Sequence, residues 1–86
     1  MAGVEEVRAG IQLAKEKTST GIAALEQASM AFQEARQTLE QATSGSSQQE
    51  VGQALGLYSE ALNSIGNIQS TAEAAVSSAD SYAARL

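Results

Sequence analysis

The sequence predicts an all-α fold: two long helices of nearly equal length, doubled back on each other as an antiparallel, coiled-coil-like hairpin. Three observations predict it. The 86 residues include no proline, the residue that costs roughly 3 kcal/mol inside a helix. Apolar residues recur at helical spacing through both halves of the chain. A single serine- and glycine-rich break, Thr43-Ser44-Gly45-Ser46-Ser47, divides those halves near the middle. Aromatic residues are only 3% of the chain, and there are few β-branched runs, which leaves little material for a sheet.

The first helix is expected over about residues 4–43. One heptad column reads Val4, Ile11, Thr18, Leu25, Phe32, Leu39, and the column three residues on reads Val7, Ala14, Gly21, Ala28, Ala35, Ala42. Together they form the a/d pattern of a coiled-coil seam, with mostly large residues in one column and small ones in the other. Phe32, in the large column, is expected to be core. Leu25-Glu26-Gln27-Ala28 recurs as Leu39-Glu40-Gln41-Ala42, a repeat of the heptad and not of a larger unit. Glu5 and Glu6 suit the positive end of the helix dipole.

A turn is expected over residues 44–47. Gly45 is placed to take the left-handed conformation that ends the first helix. Ser47-Gln48-Gln49-Glu50 matches a capping box, in which the serine hydroxyl and the glutamate carboxylate would each satisfy an amide at the start of the next helix. So short a connection forces the helices to be antiparallel neighbours.

The second helix is expected over about residues 48–86. Its seam reads Val51, Leu55, Tyr58, Leu62, Ile65, Gln69, Ala72, Val76, Ala79, Ala83, Leu86. Beside it runs a further stripe, Ala54, Ala61, Ile68, Ala75, Tyr82. The apolar surface is therefore wider than packing on one helix requires. That surplus predicts that the single domain, residues 1–86, dimerises into a four-helix bundle. Ala54, Tyr58, Ala61, Ile68, Ala75 and Tyr82 are the candidate interface residues. Each tyrosine has two readings: an anchor for a partner, or a seam residue whose hydroxyl reaches water at the edge. The second is the simpler. Gly52 and Gly56, four apart on one face, would permit close approach of another helix, or are looseness near a helix start. The alanine- and serine-rich end, from Ser70 to Leu86, has few large side chains and is expected to fray.

The composition sets aside most chemistry. Without cysteine there is no disulfide, and without histidine or cysteine a structural zinc site lacks its usual ligands. The absence of histidine also removes the usual activating base for a serine nucleophile. Glu5 and Glu6 are the only adjacent acids, and neighbours on a helix do not face each other. No phosphate-binding glycine loop and no EF-hand spacing occurs. The chain is expected to be no enzyme, with no cofactor, no metal and no small-molecule substrate. A net charge of −5 argues against nucleic acid and against an anionic membrane surface. No stretch reaches the roughly 18 apolar residues of a spanning helix. The opening Met1-Ala2-Gly3-Val4-Glu5-Glu6 has no basic or apolar leader character, so the expected location is cytoplasmic, with secretion without a signal peptide as the alternative.

The size, the two equal helices and the mid-chain turn resemble the small helical-hairpin proteins of the ESX/WXG type, which are exported by type VII secretion in Gram-positive bacteria and pair into four-helix bundles. The resemblance is one of architecture over the whole chain. Where that family has Trp-x-Gly, the turn reads Ser44-Gly45-Ser46-Ser47, and four residues after Tyr58 and Tyr82 stand Leu62 and Leu86 instead of the family's acid. No functional residue is carried over from it. The resemblance implies a secretion-associated or effector-partner protein. The residues alone equally fit a structural adaptor or assembly subunit working through coiled-coil contacts. In both readings the partner is a second copy or a related helical protein.

Overall fold

The computed structural model describes residues 3–86; Met1 and Ala2, the start of the segment inspected for a leader, lie outside the described residues. Two helices make up the fold. Helix α1 spans Val4–Ala42 and α2 spans Gln49–Ala84, packed side by side as an antiparallel hairpin. No strand occurs among the described residues. The rod measures 63 × 17 × 16 Å, as expected when 39 residues in α1 each rise 1.5 Å. Its radius of gyration is 19.4 Å, against the ~12 Å of a compact domain this long.

The turn differs from the expected one in a single respect. Gly45 has φ +84° and is the one described residue in the left-handed region. The Ser46 amide donates to the Thr43 carbonyl at 2.9 Å, and the Thr43 amide donates to Leu39 at 3.0 Å, so the last carbonyls of α1 are used. The Ser47–Glu50 capping box does not form. The N-cap is Gln48, and no side chain caps α2. Its amide instead donates to Ser46 Oγ at 3.3 Å. The cause is a shift of one residue. With Gln48 as the cap, the third helical position is Val51, which has no carboxylate to return.

The core is a thin line between two rods. Among the described residues Ile65 alone is buried, with 7% of its surface exposed. On α2 the expected seam holds: Val51, Leu55, Tyr58, Leu62, Gln69, Ala72, Val76, Ala79 and Ala83 are all half-buried around Ile65, and only Leu86, beyond the helix, is exposed.

On α1 the seam differs from the expected one. Ile11, Thr18, Leu25 and Leu39 are half-buried, but Phe32 is 38% exposed and is not core. The expected second column holds only in part. Val7, Ala28 and Ala35 are half-buried, but Ala14, Gly21 and Ala42 are exposed, and Lys15, Ile22, Ser29, Arg36 and Thr43, four residues after the large column instead of three, are half-buried as well. Lys and Arg lay their aliphatic stems along apolar surface while the charge stays wet, and this lets a polar column line a seam. Hydroxyls in the helices bond back to the preceding turn, as Thr43 does to the Leu39 carbonyl at 2.6 Å and Ser59 to Leu55 at 3.2 Å.

Two polar contacts between the helices fix their register. Arg36 Nε donates to Ser59 Oγ at 3.1 Å, and Lys15 Nζ pairs with Asp80 Oδ1 at 3.1 Å. In both pairs the two residue numbers add to 95, the signature of one continuous antiparallel register. The same register sets Ser29 against Gly66 and Thr43 against Gly52.

Candidate interaction surface

Helical spacing divides the hairpin into two unlike broad faces. The column of Lys15 and Arg36 stands four residues after the large column of α1, and its partners Ser59 and Asp80 stand four after the Leu55–Val76 column of α2. A step of four turns a side chain to one flank and a step of three to the other. All the polar contacts between the helices therefore lie on one flank. A shallow depression on that flank is lined by Gln33, Arg36, Gln37, Glu40, Ser59, Leu62 and Asn63. Arg36 Nη1 reaches Glu40 Oε2 there at 3.3 Å. This is the polar face.

The opposite face is apolar. From α1 it takes the small column, Ala14, Gly21, Ala28 and Ala35, with Ala24 and Ala31 at its edge. From α2 it takes the stripe Ala54, Ala61, Ile68, Ala75 and Tyr82, with Leu57 at its edge. The two helices meet on it: Phe32 of α1 lines a concavity of about 340 Å³ together with Ala54, Leu57, Tyr58 and Ala61 of α2. Farther along, Ala14 and Ala75 share a second, smaller hollow with Ile11, Thr18, Val76 and Ala79, and the Lys15 side chain of the other flank reaches its lining. Charges are confined to its rim: Glu50 beside the turn, Lys17 and Arg85 toward the open end.

The candidate residues fall on this face in two groups. Ala54, Tyr58 and Ala61 are half-buried in the wall of the larger concavity, while Ile68 (52% exposed), Ala75 and Tyr82 (48%) stand open to solvent. Sequence reasoning missed Leu57, 63% exposed, and Phe32. Leu57 could have been found from its place three residues after Ala54 and four before Ala61, which puts it on the same side. Phe32 was hidden by its heptad position, where a large residue reads as core. Gly52 and Gly56 do not mark a close approach within the hairpin: a Cβ built at either meets no atom within 4 Å.

Among the described residues no group of three or more acidic or other metal-ligating side chains converges. No described helix is long and apolar enough to cross a membrane. Comparison with known proteins returns no match, whether to a family model, to a curated protein or to a solved structure.

Proposed function

We propose that this chain is a non-catalytic association module, a two-helix strut whose apolar face packs against another helical protein to complete a four-helix bundle. The observation that carries the reading is its surface. The hairpin exposes 6256 Å², whereas a folded monomer of 8.8 kDa is expected to expose about 4,800 Å². One buried side chain does not make a core, and small chains without disulfides or metals commonly gain their stability by association. Covering the apolar face supplies what is missing, at roughly 25 cal/mol for each Å² hidden. Sedimentation equilibrium across micromolar concentrations tests this. A species of twice the chain mass, or a stable complex with a helical partner, is expected; a persistent monomer that captures no partner refutes it.

At the level of the cell the reading is a secretion-associated or effector-partner hairpin, supported by the likeness in architecture to ESX/WXG-type proteins. Detection of the protein in culture supernatant, dependent on the secretion ATPase, tests it; strict retention in the cytoplasm refutes it. The Ser-Gly-Ser-Ser turn, with no tryptophan, favours the second reading, a cytoplasmic structural adaptor. Co-purification with a larger complex from the cytoplasm distinguishes that role.

A further inference from the structure

Resting on the association reading above, we infer that the apolar face is covered by a second copy of this chain, docked face to face and head to tail, with Ile68 of each copy on the two-fold axis. Three observations carry it.

The first is the layout of the stripe. A closed dimer requires a patch that complements itself when turned end for end. The stripe Ala54, Ala61, Ile68, Ala75, Tyr82 is spaced evenly about Ile68. Turned about that residue, Ile68 meets Ile68 of the second copy, Ala61 meets Ala75, and the bulky Tyr82 meets the small Ala54. The rim follows the same symmetry. Glu50 lies 18 residues before Ile68 and Arg85 lies 17 after it, so each acid is brought to the other copy's base. On α1 the face is mostly alanine and glycine, with Phe32 standing in the larger concavity, and the small-residue stretches of two copies can approach closely.

The second is the distribution of charge along the rod. The half beside the turn, residues 26–67, carries Glu26, Glu34, Glu40, Glu50 and Glu60 against Arg36 alone, a net −4 of the chain's −5. The open half balances Glu5, Glu6, Glu16, Glu73 and Asp80 with Arg8, Lys15, Lys17 and Arg85, a net −1. Packing with both turns at the same end would stack −4 on −4. The head-to-tail arrangement sets each acidic half against the half that holds four of the five bases. The halves are tens of ångströms apart along a 63 Å rod, well beyond the ~10 Å screening length at 0.1 M salt, so each half responds only to what is laid against it.

The third is area. A face 63 Å long and 17 Å across has a footprint on the order of 1,000 Å² per copy, above the ~800 Å² per partner of a standard stable interface.

The chain has no cysteine, so single cysteines report the geometry directly. Ile68→Cys, at an exposed position, is oxidised at micromolar concentration beside Asn63→Cys, exposed on the polar face. Circular dichroism confirms that both are folded. Ile68→Cys is expected to form covalent dimer on the order of tenfold faster or more, because docking holds its two thiols far above the bulk concentration and within disulfide reach. An equimolar mixture of Ala54→Cys and Tyr82→Cys is expected to give the mixed disulfide in preference to either self-pair. If wild-type protein is dimeric by sedimentation but Ile68→Cys links no faster than Asn63→Cys, the head-to-tail arrangement is overturned and association survives. Preferential linking of Ile68→Cys to Ala24→Cys or Ala28→Cys overturns it in favour of the parallel arrangement. A monomeric wild type that binds a different helical protein through this face overturns the second copy as occupant. A wild type with no partner at all overturns both readings.

Discussion

Replacing Ile65 with alanine removes the one described side chain that is fully packed, at 7% exposure. Trimming a buried isoleucine to alanine costs about 2–5 kcal/mol. Alanine returns roughly 0.4 kcal/mol through its better helix propensity, leaving a net loss of about 1.6–4.6 kcal/mol. A chain of this size holds only ~3–5 kcal/mol in total, so the variant is expected to lie near or beyond its midpoint of unfolding at room temperature. Ile68→Ala is the matched control: the same chemical change, three residues away on the same helix, at 52% exposure. In dilute monomer it is expected to stay within ±0.5 kcal/mol of wild type, as surface changes do. Urea titration followed by far-ultraviolet circular dichroism, at the lowest workable concentration, reads both. Equal effects of the two substitutions would refute the placement of the seam. A penalty for Ile68→Ala that appears only as concentration rises would register the apolar face at work.

Gly45→Ala is expected to lose about 1–2 kcal/mol, because φ +84° sets a Cβ against the backbone; thermal melting checks it, with Gly45→Asn retaining part of the loss. Gly66→Ala is expected to gain up to ~1 kcal/mol, since Gly66 lies inside α2 and its Cβ would meet nothing within 4 Å; a melting temperature no higher than wild type would count against an open polar flank. Lys15 and Asp80 keep 35% and 49% of their side chains exposed, so a double-mutant cycle is expected to give a coupling of only ~0.2–1 kcal/mol, falling as salt is raised. Ser47→Ala is expected to leave denaturant stability unchanged within ~0.5 kcal/mol, because Gln48 and not Ser47 stands at the start of α2; a larger loss would restore the capping box.

Much of this fold was legible in the chain because helices leave their period in the order of residues. On α2 the large side chains Leu55, Leu62, Ile65 and Val76 mark one line without ambiguity, and that line is the seam. On α1 alanine blurred the pattern. Ala14 and Gly21 look apolar enough to be inside but are exposed, while Lys15 and Arg36 look too charged but are half-buried. The outcome depends on the aliphatic stems of the two bases and on Asp80 and Ser59, which the turn brings opposite them. Such pairings across the hairpin involve residues tens of positions apart and leave no local trace. The capping box failed for a related reason: its spacing was right, but the turn placed the helix start one residue later. For the interaction surface the stripe was readable, whereas Phe32 and Leu57 became part of it only when both helices were laid together.

A register in which opposed residue numbers keep one total also governs how such a rod can change length. Seven residues added to α1 alone would slide every later pairing by two turns, parting Lys15 from Asp80 or Arg36 from Ser59 according to where they entered. The same seven matched by seven more at the mirrored place on α2 would lengthen the strut by about 10 Å and leave both flanks in phase. Viable length variants should therefore carry paired insertions or deletions of whole heptads, equidistant from Gly45, and a lone single-residue insertion should act as a rotation of one arm, turning charge into the seam.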